Sequence, residues 1–293
     1  MGNFCCLPLS CAVMVLLISL SVAFRPLSCS AMDKSESIDT NRPSFMNSPL
    51  VLPRSSVQLE NGSSYQWGHN GQWQFSLPES ELRVGLTSNA EFQMFLPNYR
   101  LVRSRILSSV QIPRLSVIDE ENSDSTSSVV SNLSEIGVKY QLGQYLSGAD
   151  RPAIIRGTQA ALIVGVTPPT GTRVAARLAP QGAIRLPFFR TIKAGWRVGG
   201  MQSLLLLDRG QHLQWQPDVL IGKSFGSRAD VFVEYGGFFT SGALPVSFMH
   251  FGGVYKPWRN HQVDAQVGVG LSRSSPRAFV GVGYSYRLDR LHW

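Results

Sequence analysis

Eight basic residues, Arg151, Arg156, Arg173, Arg177, Arg185, Arg190, Lys193 and Arg197, fall between Arg151 and Leu207 without one acid among them. Side chains of this type at this density concentrate anions. They do so inside a narrow channel, where low-dielectric walls focus the field, or at a rim that faces the phosphates of lipopolysaccharide. Solvated loop charge is the third reading of the same stretch. Other chemistries fare worse. The five histidines (His69, His212, His250, His261, His292) show no pair at metal-ligand spacing and read as surface or interface side chains. Ser247 and His250 are three residues apart, which on a strand places them on opposite faces and removes a nucleophile–base pair. The glycines of 195–200 and 281–283 precede no helix, so they are not phosphate loops. All four cysteines lie within the first 31 residues. The chain is therefore read as a non-enzyme without metal or cofactor, and without the basic–aromatic module or basic helix of a nucleic-acid binder.

The elements that position these residues are strands. Val263, Ala265, Val267, Val269 and Leu271 alternate with Asp264, Gln266, Gly268 and Gly270. Val280, Val282, Tyr284, Tyr286 and Leu288 alternate in the same way with Gly281, Gly283, Ser285 and Arg287. Segments around 136–142 and 231–236 repeat the pattern. Turn signals fall between alternating runs at Thr87-Ser88-Asn89, Gly226-Ser227-Arg228 and Trp258-Arg259-Asn260. The runs predict about 12 strands, with 10 to 14 as the range, each long enough for the 9 to 11 residues of a membrane-spanning strand. Parity places Arg185 opposite Ile184, Leu186 and Phe188, and Arg197 opposite Trp196 and Val198. With Arg287 and Asp264 these are the candidate lumen residues.

The ends differ from the middle. Ala12 to Phe24 is nearly all apolar, too short for a membrane helix, and Cys29-Ser30-Ala31 offers small residues at a cleavage site, so 1–31 reads as a cleaved signal peptide. Residues 32–56 are rich in Ser, Asn and Pro without periodicity and read as a disordered leader. The barrel is expected over 57–288. Trp293 is out of register with the outward set Tyr284, Tyr286 and Leu288, which leaves 289–293 as a tail. Removing 1–31 takes away only Arg25, leaving 26 basic against 19 acidic residues.

Alternation alone fits a transmembrane barrel or a secreted soluble β-sandwich. The minority face separates them: a sandwich fills it with Lys, Glu and Thr, whereas this one is rich in Gly, Ser and Gln, as a lumen of limited width requires. Tyr65, Trp67, Tyr99, Trp196, Trp215, Tyr255 and Trp258 lie where interfacial girdles would form.

The sequence resembles the outer-membrane transporters labelled after a meta-pathway of phenol degradation. The likeness is carried, in order, by Leu82-Arg83-Val84-Gly85-Leu86-Thr87 with Ala90-Glu91-Phe92, by Glu135-Ile136-Gly137-Val138-Lys139-Tyr140, and by Pro168-Pro169-Thr170-Gly171. Val233-Glu234-Tyr235-Gly236, the run 262–268 and Phe279 to Arg287 complete it. The resemblance implies an antiparallel β-barrel in a Gram-negative outer membrane that passes small, often aromatic, compounds. Its partners would be a small-molecule solute, outer-membrane lipid and lipopolysaccharide, and the barrel-assembly machinery. A structural barrel with a closed lumen stays open as an alternative.

Overall fold

The computed structural model describes residues 37–69, 71–97, 99–103, 111–112, 115–116, 128–131, 135–143, 157–168, 182–207 and 210–289. The signal segment, residues 32–36, the tail beyond Asp289, and Arg151, Arg156, Arg173 and Arg177 lie outside them.

Among the described residues seventeen strands follow in chain order: β1 (Val57–Trp67), β2 (Trp73–Leu77), β3 (Glu81–Gly85), β4 (Ala90–Phe95), β5 (Tyr99–Arg103), β6 (Gln111–Ile112), β7 (Leu115–Ser116), β8 (Ser128–Ser131), β9 (Ile136–Gln141), β10 (Thr158–Val166), β11 (Gly182–Thr191), β12 (Trp196–Leu207), β13 (His212–Phe225), β14 (Ala229–Thr240), β15 (Val246–Tyr255), β16 (His261–Gly270) and β17 (Ala278–Leu288). The β6–β7 ribbon stands apart from the main sheet. Three pairs continue one another: β1 binds β3 along its first half and β2 along its second, β4–β5 line up against β3–β2, and β9–β8 against β4–β5. Counted as staves, these give four strands from β1 to β9, and β10 to β17 add eight more in antiparallel order.

Pairing of β1 with β17, from Val57↔Leu288 to Trp67↔Ala278, closes the sheet on itself. The fold is a closed antiparallel barrel of 12 staves, as expected. A single closed sheet excludes the sandwich. Staves alternate in direction, so Gly85–Ala90, Thr191–Trp196, Phe225–Ala229 and Tyr255–His261 are joined at the end where β1 begins and β17 stops. That end is called the near mouth below.

Outward positions carry β-branched and aromatic side chains that suit a pleated surface. Val166, Val219, Val267 and Val282 are each about half exposed (56%, 53%, 48% and 58%), which in water would leave a continuous apolar belt around the whole sheet. Trp67, Trp215, Trp196, Tyr255 and Trp258 are exposed near stave ends. Tyr99 instead opens β5 in the middle of the β4–β5 stave.

The leader departs from its expectation. Residues 37–56 are ordered, and Ile38, Asn41, Arg42, Phe45, Met46 and Leu52 are buried inside the barrel. Low periodicity signalled irregular backbone, but the barrel wall supplies the partners that a solvated leader would take from water. Inward Phe238, Val246, Phe248 and Phe279 pack around Phe45, and Met201 and Leu220 around Met46.

Val282 lies midway along β17 on the outer face. Val282→Lys should lower folding stability in lipid vesicles by about 2–4 kcal/mol, as for a cation near a bilayer midplane. Denaturant titration followed by tryptophan fluorescence checks this, and Val282→Ile should leave stability nearly unchanged.

Candidate functional site

The lumen is occupied by the chain's own residues 37–56, which enter and leave through the near mouth. At the entry, the Ile38 N–H donates to the Arg259 carbonyl at 2.7 Å. At the exit, Ser55 N–H donates to Gly85 O (3.0 Å) and Gly85 N–H donates to Ser56 O (2.9 Å). Between these points the segment reaches Phe45, which stacks on the His250 ring with centroids 4.2 Å apart.

An irregular segment has no ladder for its N–H groups, and buried donors must still be met. Wall carboxylates meet them. Glu60 accepts from the Asn41 N–H (3.0 Å) and the Arg42 N–H (3.0 Å). Glu234 accepts from Phe45 (2.9 Å) and Met46 (2.8 Å), and Glu91 accepts from Leu52 (2.7 Å). Each carboxylate also meets a wall donor. Arg83 donates to both Glu60 (3.0 Å) and Glu91 (2.9 Å), Lys139 lies 2.9 Å from Glu91, and His250 hydrogen-bonds Glu234. Arg83 and Lys139 turn their remaining donors to plug carbonyls, those of Asp39 and Leu50.

Plug side chains return the contact, Arg42 most extensively. Arg42 donates through Nη1 to Glu79 (3.2 Å) and through Nη2 to the Val282 carbonyl (3.1 Å), and Nη2 lies 3.5 Å from Asp264. Burial alone would lower its pKa, but Asp264 and Glu79 outweigh that and hold it above the ordinary value for arginine. The guanidinium lies over Gly62 and Gly283, a cross-strand pair at the β1–β17 seam. A Cβ on Gly62 would stand 2.1 Å from Arg42 Cζ, and one on Gly283 2.5 Å from its Nε. Gly236 likewise leaves room for Phe45, where a Cβ would come within 2.6 Å. Glycine on the inward face makes room, as its placement implied, but for the plug.

The four candidate lumen residues all face inward. Asp264 belongs to the plug contact. Arg185 is 6% exposed and grips Glu135 through both Nη atoms, with Nη2 at 2.8 Å. Arg287 bonds Asp289 through Nε at 2.7 Å. Arg197 pairs with Asp230 at 3.2 Å and sits 5.8 Å from the Phe189 ring centroid. Arg185 is mid-stave while Arg197 and Arg287 are near the mouth, so they do not form one ring. Beside the plug, Arg197, Asp230, Lys256, Phe189 and Phe232 line a small open crevice of about 80 Å³.

Sequence reading missed Arg42, Glu60, Glu79, Glu91 and Glu234, and took His250 for a surface or interface histidine, whereas it is fully buried against the plug. The usable signal was parity: Arg83, Glu91, Lys139, Glu234 and His250 all sit on the inward face of their strands, where a bare aqueous lumen has no need of so many charges.

Glu234→Ala removes the shared acceptor of two plug N–H groups. Leaving them unpaired costs about 2–3 kcal/mol, so hydrogen exchange at Phe45 and Met46 should speed up by about two orders of magnitude, with little change at strand amides of β16 and β17. Exchange mass spectrometry of the detergent-solubilised protein reads this directly.

The family model described as "Putative MetA-pathway of phenol degradation" matches residues 40–288. A sequence search of curated proteins finds no match. Among solved structures, an outer membrane channel from Pseudomonas putida F1 is similar at 10% identity with a TM-score of 0.53, over 82% of this chain and 97% of that one. The KdgM porin in complex with disordered oligogalacturonate (10% identity, TM-score 0.47, 81% and 99% covered) and the CymD monoaromatic hydrocarbon channel (9%, 0.44, 82% and 90%) are more distant in shape. At such identities the first likeness is one of fold, and it agrees with the closed 12-stave barrel. The family match runs from the plug through the last strand, and the chain belongs to the family described by the MetA-pathway of phenol degradation.

Proposed function

We propose that this chain is an outer-membrane channel for small organic compounds whose lumen is closed at rest by its own residues 37–56. The observation that carries the reading is the combination of an apolar exterior around a closed barrel with a polar interior filled by a segment that enters and leaves through one mouth. A segment so placed can withdraw as a loop without being threaded through the barrel. The family's description, phenol degradation, supports aromatic compounds among the solutes.

Export through a signal peptide over 1–31, insertion by barrel-assembly machinery and contact with lipid and lipopolysaccharide belong to the same reading. Most near-mouth turns are short, whereas the connections from Arg103 to Ser128 and from Val166 to Gly182 at the other end are long. That asymmetry supports a periplasmic near mouth. The arginines of the basic stretch enter the proposal differently from their sequence reading. Arg185 and Arg197, like Arg287, face carboxylates, so they act as fixed struts of the wall and not as a free anion-selective ring.

A closed structural barrel is the second reading, and the density of hydrogen bonds on the plug favours it. Planar-bilayer recording separates the two. The intact chain should open rarely, and a variant lacking residues 37–52 should show steady conductance at least tenfold higher on average. Equal and negligible current from both folded proteins would establish the structural reading.

A further inference from the structure

We propose that the socket holding Arg42 is a binding site for the guanidinium group of a small cationic solute, occupied at rest by the chain's own side chain. The proposal rests on the channel reading and names a solute class for it.

The socket has the shape and polarity of a guanidinium. Its floor is the Gly62–Gly283 pair, which leaves a slot where any side chain would collide with the planar group. Glu79 accepts an N–H from the group on one side, Asp264 stands 3.5 Å from Nη2 as a charge partner, and the Val282 carbonyl accepts a second N–H. Glu79 is itself held in place: Ser64 Oγ donates to its Oε1 at 2.6 Å, and its N–H donates to Gly62 O at 2.8 Å. A planar fork of N–H donors reaches Glu79 and the Val282 carbonyl at once, whereas a tetrahedral ammonium fills the slot poorly.

Withdrawal of the plug takes Arg42 away and leaves these acceptors facing the lumen. The buried part of the wall then favours cations. Among the described residues it holds seven Asp and Glu against four Lys and Arg, and losing Arg42 and the plug N–H groups deepens that excess. In a narrow low-dielectric channel the uncompensated carboxylates raise the local concentration of cations. Arg42 thus acts as an internal competitor, and the solute must take over the contacts that the plug gives up.

The test is bilayer recording with the variant lacking residues 37–52 under a potassium chloride gradient, with agmatine and tetramethylammonium as probes. The reversal potential should lie on the cation-selective side, and agmatine should block at a concentration at least tenfold lower than tetramethylammonium, which has no N–H donors. Adding Glu79→Gln should remove that difference. An anion-selective pore, or equal block by the two probes, overturns the socket while the channel reading stands. A folded deletion variant that carries no current overturns the channel reading itself and the socket with it. Should the deletion fail to fold, the full chain with Arg42→Gly decides: millimolar agmatine should raise its Tm and leave that of the unmodified protein unchanged, and the absence of a shift overturns the proposal.

Discussion

Glu60, Glu91 and Glu234 face the inside of a barrel where plug and wall leave them no solvent, and a carboxylate removed from water must be met by donors or it destabilises the fold by several kcal/mol. Wall side chains meet part of that demand. Backbone N–H groups of residues 41–52 meet the rest. The dependence is mutual, because those same N–H groups belong to a segment with no ladder of its own. Irregular backbone inside the barrel and isolated carboxylates on its wall would each be unfavourable alone; together they form a satisfied network. The inward Gly positions, the Arg83–Lys139 bridge between carboxylates and the apolar nest around Phe45 all follow from fitting that segment into that wall.

Packing and charge divide the work along the segment. Near the mouth the contacts are polar, with Asp39, Thr40 and Asn41 bonded to Gln58, Gln262 and Glu81. Deeper in, Phe45 meets Phe238, Phe248 and Phe279 at centroid distances of 5.8 to 6.2 Å, mostly tilted or edge-on. Apolar burial supplies attraction without register, and the carboxylates supply register.

The barrel was legible because its outer face repeats. Val263 to Leu271 and Val280 to Leu288 announce strands by alternation, and turn residues separate them. The middle of β1, Asn61-Gly62-Ser63-Ser64, has the composition of a turn, since Gly62 is small to seat Arg42 and Ser64 to reach Glu79. Gly199 and Gly200 likewise interrupt the alternation along β12. The plug was illegible for a different reason. Its order comes from Glu60, Glu91 and Glu234, which are distant in sequence, and no local period records a partner that lies across a lumen. The same blindness hid the pairing of Arg185 with Glu135, so that a basic stretch looked like an unpaired field.

The position of Arg42 also orders events in time. Its guanidinium touches Gly62 of the first strand and Val282 and Gly283 of the last, two strands that are neighbours only in the closed barrel. Before the seam forms there is no floor for it to lie on, and Glu79 and Asp264 belong to separate parts of an open sheet. Docking of the segment is therefore a late step of folding that reads whether the two ends of the sheet have met. A barrel that closed out of register would displace Gly62 from Gly283 and shift Asp264 and the Val282 carbonyl away from Glu79, so the plug discriminates a correctly zipped seam from a slipped one.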